Sequence, residues 1–196
     1  MAPDPKVDLS FLVTGQRLPV DHGYALYGAL CRLIPALHDD ADTAVGLVRG
    51  RYVGGGLLDI TPRAELTLRT PVGGIPSLLP LAGKTLDLDG HRLRIGVPQT
   101  RALVPAVALY AHLVTTKNGN DQARFMEEIA RQALALGVKG RLTVGARRTF
   151  GVHGKQVVGY SVLASELTAE ESIALQENGL GGRRKMGCGF FEARDR

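Results

Sequence analysis

The sequence predicts an α+β protein in which one β-α-β-β-α-β order of elements occurs twice. Three observations carry that expectation: short alternating segments of strand length, two helix-length segments in each half, and a near-repeat of their order after residue 100. Residues 7–13, Val-Asp-Leu-Ser-Phe-Leu-Val, alternate as a half-buried strand does, and Gly15 and Pro19 then break the pattern. A helix follows, with Asp21 as its expected cap and Leu26, Leu30, Leu33 and Leu37 as its apolar stripe; Pro35 implies a kink or an early stop. Strand-like segments at 43–49 and 64–70, a short helix near 74–82, and strands at 84–88 and 92–97 complete the first unit.

The second half runs from a strand at 103–116 through a helix at 121–136, ended by Gly137, to a hairpin with strands near 141–150 and 156–164. Thr168-Ala-Glu-Glu171 supplies a capping box for a helix at 168–177, and a strand near 188–193 closes the unit. Two such units describe tandem ferredoxin-like, RRM-like domains, expected at 1–100 and 101–196. That fold hosts many unrelated activities, so the residues must decide function.

The chain has 196 residues, 44% hydrophobic and 22% charged, without low-complexity tracts or an apolar run that could span a bilayer. Its start, Met-Ala-Pro-Asp-Pro-Lys, lacks the basic start and apolar core of a signal peptide, so a cytoplasmic protein is expected. Cys31 and Cys188, with no Cys-x-x-Cys spacing, read as two unrelated buried thiols. The net charge of +5 makes a polyanion a plausible partner. Basic residues gather at Arg147-Arg148 and Arg183-Arg184-Lys185, which puts the anion-facing surface in the last third of the chain. No RNP1-type aromatic run occurs; Tyr110 and His112 share one face of their strand, where ordinary packing is the plainer reading.

The most specific feature is Gly179-Leu-Gly181-Gly-Arg183-Arg184-Lys185-Met-Gly187-Cys-Gly189, two Gly-apolar-Gly triplets bracketing five residues, three of them cationic. Glycine tolerates positive φ and close backbone approach to a ligand, and the cations select phosphate. No Gly-Lys-Ser/Thr follows and the spacing is wrong for a dinucleotide fold, so nucleotide-loop readings fail. The plainer alternative is a solvated turn before an edge strand.

This pattern resembles the C-terminal signature of the CRISPR repeat-processing endoribonucleases, the sixth Cas protein family, among the repeat-associated RNA-binding proteins. The stretch Asp21-His22-Gly23-Tyr24-Ala-Leu-Tyr27-Gly28 resembles the variant of that family found in myxobacterial-type type I systems. The resemblance implies a tandem ferredoxin-like fold, a CRISPR repeat stem-loop as RNA partner, other Cas effector subunits as further partners, and cleavage of the precursor transcript into guide crRNA. It further implies metal-independent cutting, in which the ribose 2′-hydroxyl attacks the scissile phosphate and leaves a 2′,3′-cyclic phosphate. Such a step needs a base, an acid and cations around the phosphorane.

The five histidines, at 22, 38, 91, 112 and 153, are scattered without metal-ligand spacing, so neither metal nor other cofactor is expected. His22 stands in the expected first turn of the first helix, where the dipole favours neutral imidazole, as a general base requires; a packed structural histidine would also be comfortable there. Tyr24 and Tyr27, on the same helix, are candidate assistants in that site. The cationic partner stays open among Lys117, Lys155, Lys185, Arg49 and Arg51. The expected RNA-binding groups are Arg147, Arg148 and Lys155 on the hairpin around His153, with Gly181, Arg183, Arg184, Lys185 and Gly187 in the glycine-rich segment. A non-catalytic RNA-binding scaffold subunit of a CRISPR effector complex would use the glycine-rich segment equally well, but would not need His22 and its tyrosines. A general RRM-like binder of cellular RNA lacks its sheet aromatics here.

Overall fold

The computed structural model describes residues 4–193; Met1–Pro3, part of the start read for a signal peptide, lie outside them. The chain divides into two compact units, with the break after Ala102. The first contains β1 (Lys6–Thr14), β2 (Arg17–Pro19), α1 (Gly23–Leu33), β3 (Ala44–Val45), β4 (Gly50–Gly54), β5 (Leu57–Ile60), β6 (Glu65–Pro71), α2 (Ile75–Leu78), β7 (Thr85–Leu88) and β8 (His91–Ala102). Its main sheet has the order β3-β6-β1-β8-β7, antiparallel throughout. The first strand is therefore paired on both sides, as two split β-α-β crossovers of the ferredoxin type require. Alternation along β1 sends Leu9, Phe11 and Val13 into the core beside Leu26 and Leu30 of α1, with Leu66 and Leu68 from β6.

Several local expectations shift. The α1 N-cap is His22 rather than Asp21, and no side chain caps the helix. Leu33 is 40% exposed, because the helix stops there and Leu37 is buried instead from a 3-10 turn at Pro35–His38. Only Ala44–Val45 of the segment 43–49 pairs as a strand. A three-stranded sheet, β2-β5-β4, was not expected; its strands are three to five residues long, too short to show an alternating pattern.

The second unit contains β9 (Ala108–Val114), α3 (Gln122–Ala135), β10 (Arg141–Val152), β11 (Lys155–Ser165), α4 (Ala169–Asn178) and β12 (Glu192–Ala193), in a sheet of order β10-β11-β9-β12. The topology repeats that of the first unit, with β9 now paired on both sides. Asp121 caps α3 by accepting from the Ala123 and Arg124 amides, and Thr168 with Glu171 forms the expected capping box. Phe125, Ile129 and Ala133 of α3 pack on Leu109, Ala111 and Val162. The closing strand is only two residues long, since the glycine-rich segment extends through Gly189 and the chain pairs with β9 only from Glu192.

In the first unit a charged pair lies across the sheet. Arg69 on β6 is 1% exposed and donates from Nε (2.7 Å) and Nη2 (2.9 Å) to the two carboxylate oxygens of Asp8 on β1. Removing one member of a buried pair leaves the other charge poorly compensated. Asp8→Ala is expected to lower stability by about 3 kcal/mol in urea unfolding, whereas Arg124→Ala, at an exposed ion pair with Asp121, should change the midpoint little.

Candidate active site and RNA-binding surface

Pro35 organises the site in the first unit. Proline cannot continue α1, so the helix ends at Leu33 and Pro35 opens a 3-10 turn whose Leu37 is anchored in the core. That return brings exposed His38 against Tyr27, one and a half turns before the helix end. The Tyr27 hydroxyl and His38 Nδ1 are 2.9 Å apart, and the rings stack at 6.3 Å between centroids with 23° between planes. Burial and the neighbouring Cys31 thiol push the Tyr27 phenol up from its usual value, so it stays protonated near neutrality. A protonated phenol against an imidazole forms a proton-transfer pair at the surface. If the phenol donates to Nδ1, Nε2 carries the proton of a neutral ring and has no acid to offer; if Nδ1–H donates to the phenol oxygen, Nε2 can act as a base.

His22 is placed differently from the general base expected. It is 1% exposed, with Nδ1 2.8 Å from the Pro19 carbonyl and Nε2 3.1 Å from the Val48 amide. The amide can only donate, so Nε2 accepts and Nδ1 carries the proton, which fixes one neutral tautomer. Burial lowers its pKa further, although its backbone hydrogen bonds oppose this. Both nitrogens thus tie the loop before α1 to the backbone at Val48, and this placement speaks against a proton-transfer role for His22. Tyr24 is half-buried three residues before Tyr27. In the sequence His38 ranks behind His22, because the spacing of a helix says nothing about a turn that folds back on it; Pro35 shortly before a histidine is the available signal.

In the second unit the hairpin turn at His153-Gly154 has positive φ at both central residues, 49° and 72°, as a two-residue turn of type I′ requires. It joins β10, bearing exposed Arg147 and half-buried Arg148, to β11, which begins at exposed Lys155. The Arg148 Nε, like that of Arg184, is buried and meets no acceptor among the described residues.

The glycine-rich segment is built against its own backbone. A Cβ on Gly179 would strike the Gly189 carbonyl, one on Gly189 the Leu180 carbonyl, and one on Gly181 the Thr115 carbonyl, all at positive φ. Gly181 donates its amide to Gln132 Oε1 (2.7 Å), Gly182 to the Thr115 carbonyl (2.9 Å), and Gly189 to the Leu113 carbonyl (2.7 Å). Gly187, also at positive φ (82°), is buried. The close approach at Gly179, Gly181 and Gly189 is therefore made to the fold's own carbonyls, and the Gly181 amide is held by Gln132. The cations also diverge. Arg184 turns inward, donating from Nη2 to the Glu177 carbonyl at the end of α4 (2.9 Å), while Arg183 stands exposed in the left-handed region and Lys185 is half-buried. Among the described residues no three His, Cys, Asp or Glu side chains gather as metal ligands would, and no helix is long and apolar enough to cross a membrane.

The family model described as Cas6 Crispr matches residues 7–195. The chain belongs to the Cas6 family. It is 44% identical over 185 residues to the CRISPR-associated endonuclease Cas6 of Myxococcus xanthus (strain DK1622), covering 94% of this chain and 80% of that protein. Its fold is similar to that of a solved CRISPR-associated Cas6 protein, with a TM-score of 0.67, 13% identity and coverage of 97% and 99%. A Cas6-related protein from Pyrococcus furiosus gives a TM-score of 0.65 at 11% identity, covering 95% of this chain and 98% of that one. At such identities the structural likeness speaks for the fold, which is the tandem ferredoxin-like arrangement of Cas6 proteins.

The His22 placement has a consequence for stability. Because its folded pKa lies below the unfolded value of 6.5, the unfolded state takes up the proton first on acidification. Its contribution to stability is full above pH 6.5 and is lost as pH falls from there through the lowered folded value. Urea midpoints measured as a function of pH should fall over that window, and His22→Gln should remove that part of the slope.

Proposed function

We propose that this Cas6 protein is an endoribonuclease that binds CRISPR repeat RNA and cuts the precursor transcript without a metal ion, with Tyr27 and His38 as its proton-transfer pair. The observation that carries this reading is the 2.9 Å contact between the Tyr27 hydroxyl and His38 Nδ1 on an exposed turn, in a family whose M. xanthus member is an endonuclease. A Thermus thermophilus Cse3 solved with an RNA representing a pre-cleavage complex shares the fold at a TM-score of 0.50 and supports RNA as the partner. In the reaction the ribose 2′-oxygen forms a bond to phosphorus as its proton leaves to a base, and the bond from phosphorus to the 5′-oxygen breaks as that oxygen receives a proton. A 2′,3′-cyclic phosphate and a 5′-hydroxyl result. The pair supplies one of these transfers through His38 Nε2, with Tyr27 fixing the ring and its tautomer. Arg147, Arg148 and Lys155 on the hairpin, with Arg183 and Lys185 in the glycine-rich segment, hold backbone phosphates of the repeat, and the exposure of Arg147, Lys155 and Arg183 supports this. Cytoplasmic placement and association with other Cas subunits accompany this reading.

His38→Ala is expected to slow single-turnover cleavage of the cognate repeat RNA at least about 100-fold with its affinity retained. Tyr27→Phe should slow it less, and His22→Ala should lose activity only in step with folding. Cleavage that survives His38→Ala removes the pair from the chemistry. The wild-type reaction should proceed in excess chelator and stop on a substrate with deoxyribose 5′ to the scissile phosphate. Alanine at Arg147, Arg148 and Lys155 together should weaken binding to every RNA tested and flatten its salt dependence by a slope of roughly 0.7 to 0.9 per lost contact; an unchanged slope would make the hairpin a solvated tip.

A further inference from the structure

The second unit holds a cleft that the chemistry above does not use. It lies between the loop after β9, α3 and the glycine-rich segment, encloses about 590 Å³, and is lined by Lys117, Asn118, Glu128, Gln132, Gly181 and Arg183 among others. That volume is within the range of small-molecule sites. Its charges are arranged in two levels. Lys117 and Arg183 are exposed, while Glu128 and Gln132 are half-buried on α3.

The polar groups on α3 are held in fixed positions, and their remaining hydrogen-bonding capacity can be counted. Glu128 Oε1 accepts from Arg131 Nη2 (2.7 Å) and from Gln132 Nε2 (2.7 Å), and Oε2 accepts from Arg131 Nε (3.0 Å). The hydrogen bonds from Arg131 and Gln132 hold the Glu128 carboxyl at about 2, so it is an acceptor only. With two acceptor sites per oxygen, Oε2 keeps one. Gln132 Oε1 accepts from the Gly181 amide and keeps one acceptor site, and its Nε2, donating once to Glu128, keeps one N–H. The surface left over offers two acceptors and one donor. A carboxylate at this level repels a phosphate, whereas an edge with two donors and one acceptor satisfies all three groups. The Watson–Crick edge of guanine, with N1–H, the exocyclic amino group and O6, has that composition; the edges of uracil and cytosine have one donor group and two acceptors.

We propose that this cleft takes one unpaired guanine nucleotide of the RNA, with the base on Glu128 and Gln132 and the adjoining phosphates on Lys117 and Arg183. The proposal rests on the RNA-binding reading above and adds a position at which the RNA sequence is read. It also gives a task to the Gln132–Gly181 hydrogen bond, which locks the glycine-rich segment to the helix that carries the reading groups.

The test is amide chemical-shift mapping by NMR on the full chain, titrated with guanosine monophosphate, uridine monophosphate and ribose 5-phosphate in turn. Guanosine monophosphate should shift the amides of Lys117, Asn118, Gly181, Gly182 and Arg183 saturably, and bind at least about tenfold more tightly than the other two. Glu128→Gln should abolish that preference while leaving the remaining spectrum in place. Equal shifts with ribose 5-phosphate would make the cleft an anion site, equal shifts with uridine monophosphate would remove guanine selection, and no shift with any of them would remove the nucleotide; each result overturns the proposal. Cleavage of repeat RNA by the same sample separates the two readings. Cutting without guanine selection defeats the cleft alone, and guanine selection without binding or cutting of repeat RNA defeats the endoribonuclease.

Discussion

Each unit depends on its first strand being hydrogen-bonded on both sides. β1 lies between β6 and β8, and β9 between β11 and β12, with every neighbour antiparallel. Both edges of these strands are thereby consumed, and a sheet with such a centre must cover one face with its helices to bury an apolar side. In the first unit that requirement sends Leu26 and Leu30 of α1 onto Leu9, Phe11 and Val13. The polar face of the helix, with Tyr27, is left at the surface side of the packing. The position of the candidate catalytic tyrosine follows from which leucines the core demands.

The same constraint explains the glycine-rich segment. β9 ends at Val114, and the carbonyl of the following Thr115, with that of Leu113, accepts amides from Gly182 and Gly189. The segment thus runs over the end of β9 before β12 pairs with the same strand, and there is no room for a Cβ where it doubles back on itself at Gly179 and Gly189. Glycine is demanded by the protein's own carbonyls. The cations between the triplets then take separate positions: Arg184 is held by the carbonyl of Glu177, and Arg183 is displayed beside the cleft. One motif performs two tasks, closure of the domain and presentation of charge.

The two histidines of the first unit show how burial and exposure divide a shared chemistry. His22 holds the Pro19 carbonyl with one nitrogen and the buried Val48 amide with the other, and both ring nitrogens are thereby engaged inside the fold. His38 has one nitrogen against a phenol and an exposed ring. An imidazole is present in both places, but only the exposed ring of His38 can be approached by an RNA phosphate.

Sequence alone determined the repeated order of elements, the capping box at Thr168, the ends of α3, the hairpin around His153 and the family signature in the glycine-rich segment. These are local: each depends on periodicity, a cap or a turn within a few residues, and local propensity is written along the chain. Tertiary structure decided which histidine stands at the surface, which cation faces inward, and which groups of α3 meet the glycine-rich segment. His22 and Val48 are 26 residues apart, and Gly181 and Gln132 are 49 apart. Such pairs are set by how strands and helices pack, and no spacing within either partner's own segment records them. Even the contact of Tyr27 with His38, only 11 residues apart, required the chain to turn back at Pro35 over a core that Leu37 had to enter. Proline marks where a helix stops, but the direction taken afterwards is set by what the core can bury.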